Sequence, residues 1–278
     1  MSVAPRARGL KEKMVLVDNH VHALKSGISG MVNAAVERRV EFLSITEHVY
    51  QFMEVRKYPS YRVHPIEGKL FSLGKFVEAI HKVAEQRNKS TEVGLGIELD
   101  YPIEDLELWS SELSSFEWDI ILCSVHSLDG TSIDAELPRH LNDSSTRWAR
   151  YFSLMNEAID SDSIPFNVIS HPTRLALSSP QVPANFVELL RNMVENACRR
   201  NLSVEVNVDD FLANPALVQQ VMAACARSGT HVSVGTDSHD IHELHSREPI
   251  VRKLLKKAEF SFATYHRGRP ELWKSSFR

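Results

Sequence analysis

The stretch MVLVDNHVH at residues 14–22 places two histidines at the end of an apolar run that is typical of a β-strand. Successive side chains of a strand point to opposite faces, so His20 and His22 would lie on one face and could bind a single ion. The same spacing also occurs in strands whose polar ends bind nothing. The pair alone leaves two interpretations open: half of a metal site, or two ordinary polar residues.

Residues of the same chemical types follow six further apolar runs along the chain. The chain has 13 histidines, and a random scatter would not be expected to bring six of them to the ends of these runs. The candidate metal ligands in these segments are His20, His22, His48, Glu98, His126, His171, Asp237 and His239. The segment NVDD at 207–210 also follows a run, but we do not expect a ligand from it.

These segments need a scaffold that brings seven strand ends together. The apolar runs are 14–17, 42–45, 93–97, 119–123, 166–169, 202–206 and 231–235. Segments with helical spacing of apolar residues lie between them, for example 71–87, 186–200 and 215–229. This alternation predicts an α/β fold with a parallel sheet, because parallel strands need crossover connections. A closed or nearly closed βα barrel fits best, since all strand C-termini then face one mouth, where such barrels place their active sites.

The order of these motifs resembles that of the PHP (polymerase and histidinol phosphatase) superfamily. The segments ITEHV, GIELDY, CSVHSLDG, ISHPTR and VGTDSHD are most similar to the histidinol-phosphatase branch, and the resemblance spans roughly residues 14–240. It implies a distorted seven-stranded (β/α)7 barrel, which agrees with the seven strands counted from the apolar runs. It also implies a metal-dependent phosphomonoester hydrolase.

Beside this resemblance, the residue types suit a centre of two ions. His20, His22 and Asp237 would bind a first ion, and the two oxygens of Glu98 allow it to bridge to a second. His126 and His171 would complete the second ion. Mixed imidazole and carboxylate ligation favours zinc, manganese or iron over calcium or magnesium. Two such ions can generate hydroxide and hold a phosphoryl group during in-line displacement.

The sequence leaves the presence of a third ion open. The family often has one, held by the histidines that correspond to His48 and His239 and by a further ligand a few residues beyond the His-x-His pair. Here the residues after His22 read ALKSGISG, without such a ligand. If the third ion is absent, His239 or His48 could act as general acid to the leaving oxygen. The candidate catalytic residues are therefore His239, His48 and Asp237.

A phosphatase also needs cationic groups for the non-bridging oxygens of its substrate. Arg174, directly after SHPT, is the first candidate for substrate binding, because arginine binds phosphate in a bidentate manner. Further candidates in two long polar segments are Arg56, Lys57, Arg62 and Arg139. Asp18 and Glu205 are expected to support the ligands by hydrogen bonds. Histidines outside the motifs, including His64, are assigned no role.

Composition excludes several classes of function. The formal net charge is −4, so no overall field favours nucleic acid, and no apolar stretch approaches the length of a membrane span. Three cysteines without paired spacing indicate a reducing compartment, and no apolar segment typical of a signal peptide follows the N-terminus.

We expect a single cytoplasmic domain over residues 1–278, with a core at 14–257 and a basic C-terminal tail at 258–278. The oligomeric state stays open.

The sequence thus predicts a hydrolase of a small phosphorylated metabolite, with histidinol phosphate as the named candidate, that uses two or three divalent ions. Two alternatives remain. The first is an enzyme of the same fold with other chemistry, such as phosphodiester hydrolysis or an iron-dependent oxidative reaction. The second is a metal-stabilised module without catalysis, which is less favoured because ligands for two ions are all present.

Overall fold

The computed structural model describes residues 15–62, 64, 66, 70–85, 90–101, 112–162, 165–256 and 261–274. The strands among them are β1 (Val17–Val21), β2 (Phe42–His48), β3 (Glu92–Asp100), β4 (Ile120–Ser124), β5 (Ser127–Leu128), β6 (Thr131–Ser132), β7 (Val168–Ile169), β8 (Ser203–Asn207), β9 (Val232–Gly235), β10 (Ser261–His266) and β11 (Arg269–Lys274). Nine of them form one sheet in the order β1–β2–β3–β4–β7–β8–β9–β10–β11, and β5 and β6 form a separate short hairpin.

The first seven strands of the sheet order pair in parallel. The segment directly after β9 also pairs with the end of β1. The amide of Asp237 donates to the carbonyl of His20 at 2.8 Å, and the amide of His22 donates to the carbonyl of Ser238 at 2.8 Å. The predicted α/β fold with a mostly parallel sheet is therefore confirmed. The C-terminal ends of β1 and β9 lie side by side.

Helices connect the parallel strands. They are α1 (Ile28–Glu37), α2 (Pro59–Arg62), α3 (Leu73–Glu85), α4 (Ser144–Asp160), α5 (Phe186–Arg199), α6 (Val208–Ala213), α7 (Pro215–Ser228) and α8 (Ile241–Lys256). Helix α7 matches its sequence signals: Asn214 caps its N-terminus through the amide of Leu217, and Gly229 ends it in the left-handed conformation at φ 75°. None of the helices in the described ranges is both long and apolar enough to cross a membrane.

The sequence predicted a basic tail at 258–278, but the described residues of this segment form two strands. Residues 261–274 form the antiparallel hairpin β10–β11, and β10 continues the sheet beside β9. Ala263 and Tyr265 pack against Ile120, Leu122 and Val168 in a small apolar cluster. This packing explains the difference, because alternate residues of β10 bury apolar side chains even though basic residues surround them in sequence.

Candidate metal centre

The two histidines of the His-x-His pair lie together at the C-terminal end of β1. Their Nε2 atoms are 3.1 Å apart, and neither side chain is exposed. Strand β1 runs through the sequence VDNHV, further than the apolar run predicts, so His20 belongs to the strand and His22 follows directly after it. The strand geometry therefore directs both imidazoles to one point.

Glu98 lies at the centre of the candidate site. It is carried by β3 and is 1% exposed. One carboxylate oxygen, Oε1, lies 3.0 Å from Nε2 of His171 and 3.4 Å from Nε2 of His126. The other oxygen, Oε2, faces the histidine pair at 3.5 and 3.6 Å, and it lies 2.6 Å from Nδ1 of His48. The carboxylate thus faces two separate groups of imidazoles, which is the arrangement of a bridging ligand.

Asp237 also contacts the histidine pair. Its Oδ1 lies 3.2 Å from Nε2 of His22 and 3.5 Å from Nε2 of His20. Its backbone has a φ of 54°, and that of His171 has a φ of 25°, values rare for residues other than glycine. Such conformations cost energy, and they are concentrated at functional sites.

A further group of imidazoles lies on the outer side of the pair. His22, His48 and His239 have ligand atoms within 4.8 Å of one another. The ring of His22 stacks on both others, with centroids 4.2 Å apart in each case. The sequence predicted only His48 and His239 for a third ion, and the structure places a ligand atom of His22 near both of them.

The spacing of these groups fits metal ions. Nitrogen and oxygen ligands about 2.0–2.2 Å from a tetrahedral ion lie about 3.3–3.6 Å from one another. The contacts of Glu98 and Asp237 with the histidine pair fall between 3.2 and 3.6 Å. Within the described part of the chain, Oε2 of Glu98 is buried among imidazoles without forming a hydrogen bond of normal geometry. The residues present therefore suit a cation.

The electrostatics of the cluster lead to the same conclusion. Burial alone would raise the pKa of Glu98, but His48, His20 and His126 hold it well below its usual range. Burial would lower the pKa of the histidines, yet Asp237 and Glu47 raise that of His22 to about 9. Glu98 and Asp100 likewise raise the pKa of His126 to about 10 against the effect of burial. Protons on imidazoles thus balance buried carboxylates, and a divalent cation can replace them.

Two buried carboxylates, Glu205 and Asp18, lie beside the candidate ligands. Glu205 on β8 places Oε1 at 2.9 Å from Nδ1 of His20, and its Oε2 accepts the amide of His171 at 2.8 Å. Asp18 accepts the amide of Thr236 at 2.9 Å and its hydroxyl at 2.7 Å, so it ties β1 to the segment after β9 rather than binding an imidazole ring. The expected hydrogen bond to a ligand ring is thus found for Glu205, whereas Asp18 contacts Thr236 and the backbone amide of His20.

His64, which the sequence left without a role, lies next to the site. Its Nε2 is 3.2 Å from Oδ2 of Asp100, and the other oxygen of Asp100 accepts the amide of His126 at 3.1 Å. The ring of His64 stacks on Tyr50 at 4.5 Å, and Tyr50 stacks on His48 at 4.7 Å. No motif contains His64, and only its position in a long segment after β2 could have drawn attention to it.

The predicted phosphate-binding arginine is held by carboxylates. Arg174 donates from Nε to Asp210 at 2.7 Å and from Nη2 to Asp237 at 2.5 Å, and its side chain is 13% exposed. Its Nη1 lies 3.8 Å from Asp209, which leaves this end of the guanidinium with the weaker contact. Arg174 therefore borders the candidate metal ligands, as its place after SHPT predicts.

Three of the other cations considered for phosphate binding have described side chains. Arg56 donates to the carbonyls of Tyr61 and His64, Lys57 contacts Glu112, and Arg139 is exposed. The side chain of Arg62 lies outside the described residues. The sequence also missed Arg247 on α8, which reaches the backbone of Asp237.

Comparison with solved structures supports the histidinol-phosphatase resemblance at the level of the fold. The crystal structure of a histidinol phosphate phosphatase from Lactococcus lactis, complexed with zinc, L-histidinol and phosphate, matches 92% of this chain and 98% of its own, with a TM-score of 0.76 and 17% identity. A protein of Listeria monocytogenes, provisionally assigned as a histidinol phosphatase, matches 82% and 96%, with a TM-score of 0.68 and 17% identity. The fold is thus shared with proteins of this branch.

Comparison of sequences gives no such match. No protein-family model matches the chain, and no curated protein sequence does so. At 17% identity the solved structures show a common fold, and the activity must be argued from the site itself.

Proposed function

We propose that the chain is a metal-dependent phosphomonoester hydrolase of a small phosphorylated metabolite, with histidinol phosphate as the candidate substrate. The observation that carries the proposal is Glu98, a buried carboxylate whose two oxygens face two different groups of imidazoles. Hydrolysis of phosphate esters commonly uses two bridged ions. The Lactococcus lactis structure with zinc, L-histidinol and phosphate provides the substrate class.

The proposal assigns the ligands as follows. His20, His22 and Asp237 bind the first ion, and Glu98 bridges it to the second, which His126 and His171 complete. A third ion would lie between His48 and His239, with solvent or phosphate completing its ligands, since His22, whose ligand atom lies within 4.8 Å of theirs, is assigned to the first ion. Zinc, manganese and iron are the candidate metals. The architecture proposed is the distorted (β/α)7 barrel, supported by the two hydrogen bonds between the ends of β1 and β9.

Other residues of the site bind the substrate or hold the metal ligands in place. When bound, the ions activate water and neutralise charge on the phosphoryl group. Arg174, directed by Asp210, offers Nη1 to a non-bridging oxygen of the substrate. Glu205 holds the ring of His20, and Asp100 holds the backbone of His126.

His239 suits a ligand better than an acid. Burial and the neighbouring His22 lower its pKa to about 2, and burial also lowers the pKa of His48. A neutral imidazole at neutral pH binds metal but does not donate a proton to a leaving group. We therefore place both residues in the cation-binding set rather than in the role of general acid.

The test is direct. Metal-free protein reloaded separately with Zn²⁺, Mn²⁺ or Fe²⁺ should release phosphate from histidinol phosphate or from another small monoester in a metabolite panel. His20→Ala should abolish release, whereas His81→Ala, at an exposed position on α3, should not change it. Absence of turnover on every monoester at full metal occupancy would contradict the proposal. Turnover of a diester substrate alone, or oxygen consumption by the iron form, would favour the alternative chemistries.

A further inference from the structure

Asp237 combines a ligand position with an unfavourable backbone conformation. Its φ of 54° lies in the left-handed region, and its carboxylate faces the histidine pair. The direction of a side chain depends on the backbone angles of its own residue, so relaxation of this φ would turn Oδ1 away from His22. Something in the fold must hold the peptide in place.

Arg247 makes the contact that can do this. Its Nη1 donates to the carbonyl of Asp237 at 2.6 Å and to the carbonyl of Thr236 at 3.1 Å. The same guanidinium donates from Nη2 to Oδ1 of Asp209 at 2.8 Å, and the side chain is 14% exposed. A planar guanidinium carries fixed donors on separate nitrogens and can hold two carbonyls and a carboxylate at once, whereas a lysine donates from a single nitrogen.

Asp209 links Arg247 to the side chain of Asp237 through Arg174. Oδ2 of Asp209 lies 3.8 Å from Nη1 of Arg174, and Nη2 of Arg174 donates to Oδ2 of Asp237 at 2.5 Å. The four residues form a closed circuit in which one arginine holds the backbone of Asp237 and the other holds its carboxylate. Helix α8 supplies the first arginine, helix α6 supplies Asp209, and the segment after β7 supplies the second arginine.

We propose that Arg247, oriented by Asp209, is a positioning residue that locks Asp237 in the left-handed conformation required for metal binding. This inference rests on the proposed metal centre. It assigns a role to a residue of α8 that lies ten positions beyond Asp237 in sequence. The role differs from metal ligation or substrate binding, since Arg247 touches neither the histidine pair nor Glu98 in the contacts described.

Cobalt substitution tests the proposal independently of activity. Metal-free wild-type protein, Arg247→Lys and Arg247→Met are loaded with Co²⁺, and the visible absorption bands and binding isotherms are recorded. We expect Arg247→Met to shift the bands and to weaken Co²⁺ binding by about ten- to a hundredfold, as is typical when the support of a ligand is removed. Arg247→Lys should restore only part of the affinity. Arg252→Met, on the same helix but bonded to Glu248 and to the carbonyl of Arg38, is the matched control.

A double variant tests whether the two residues act as one unit, and far-UV circular dichroism checks that each variant keeps its fold. Asp209→Asn alone should weaken Co²⁺ binding in the same direction, and adding Arg247→Met should cost less than the sum of the two effects, because the residues act as one unit. Native spectra and affinity in both single variants would overturn the proposal, and so would full additivity. If the variants show these changes in Co²⁺ binding but the metal-loaded wild type hydrolyses no ester, the positioning role is supported and the proposed function is contradicted.

Discussion

Oε1 of Glu205 lies 2.9 Å from Nδ1 of His20, and neither side chain is more than 1% exposed. This contact fixes the orientation of the imidazole, so that Nε2 is directed toward Glu98 and Asp237. Burial would raise the pKa of Glu205, but His20, together with His171 and Ser170, holds it below its usual range. A buried carboxylate therefore stands behind a candidate metal ligand, and its charge increases the basicity of that ligand.

Glu205→Gln should weaken metal binding by about ten- to a hundredfold while leaving the fold intact, because the amide keeps the shape but loses the charge. Isothermal titration with Zn²⁺ measures the affinity, and far-UV circular dichroism checks the fold. Glu136→Gln, at an exposed loop position, serves as control. Unchanged affinity in Glu205→Gln would show that the contact has no influence on the ion.

Gly235→Ala should disturb the same pair through steric contact. A Cβ at this position would lie 2.4 Å from Cβ of His20 and 2.6 Å from Oε1 of Glu205. We expect a loss of about 1–3 kcal/mol in the free energy of unfolding, typical of overpacking, together with weaker metal binding. Urea denaturation of the metal-free protein measures the first effect.

The matched control for this substitution is Gly74→Ala. Gly74 lies in α3, and a Cβ there would meet nothing within 4 Å. Because alanine favours helices over glycine, this change should be neutral or stabilising by up to about 1 kcal/mol. Equal effects of the two substitutions would contradict the steric explanation.

The stability of the metal-free protein should fall as pH rises above neutrality. The pKa values of His22 and His126, about 9 and about 10, lie above the ordinary 6.5. The two imidazolium ions therefore stabilise the folded state fully below about pH 6.5, and this stabilisation is lost as pH rises through 9 and 10. The zinc-loaded protein should not show this loss, since its ligands are already deprotonated, and metal affinity should rise over the same range.

Calorimetric melting curves between pH 6 and pH 10, with and without Zn²⁺, check this dependence. The difference in melting temperature between the two forms should widen with pH. Parallel curves would mean that the two histidines do not exchange protons for metal. Proton release on zinc binding, measured in buffers of different ionisation enthalpy, provides a second readout.

His64→Gln should reduce kcat/KM without removing metal. The imidazole of His64 contacts Asp100, which in turn holds the amide of His126, so its effect reaches the ligand through one intermediate. We expect a reduction of about three- to tenfold, smaller than that caused by groups in direct contact with a ligand. Steady-state kinetics and metal analysis by mass spectrometry measure both quantities. Loss of an ion equal to that in His126→Ala would instead make His64 a ligand, and His81→Gln is the control on α3.

Local sequence patterns predict the elements that carry the ligands. Apolar runs mark the strands, and Pro215 and Gly229 mark the ends of α7, because these signals depend on neighbouring residues only. The convergence of His20, Glu98 and Asp237 follows from the parallel order of the strands. Patterns of spacing and the topology of parallel sheets therefore suffice to bring these three residues together.

Other parts of the site depend on contacts that no local pattern records. Arg247 reaches Asp237 from a helix, and His64 reaches Asp100 from an irregular segment.

The hairpin β10–β11, in contrast, has a local sequence signal. Arg267 and Gly268 at its turn both have positive φ, 47° and 71°. Two such residues between alternating apolar positions are typical of a tight hairpin turn. Closer attention to alternation would have identified β10 and β11 within the presumed tail.

The hairpin also makes hydrogen bonds with residues far away in the chain. Asn19, next to His20, donates to the carbonyl of Ala263 at 2.8 Å, across 244 positions of the chain. Asn167 donates to the carbonyl of Gly268 at 2.9 Å, across 101 positions. Contacts between such distant residues carry a high loop-closure entropy, and chains rich in them fold slowly. We therefore expect docking of the hairpin to be a late step, so that β1 becomes rigid, and the candidate metal ligands reach their final positions, only near the end of folding.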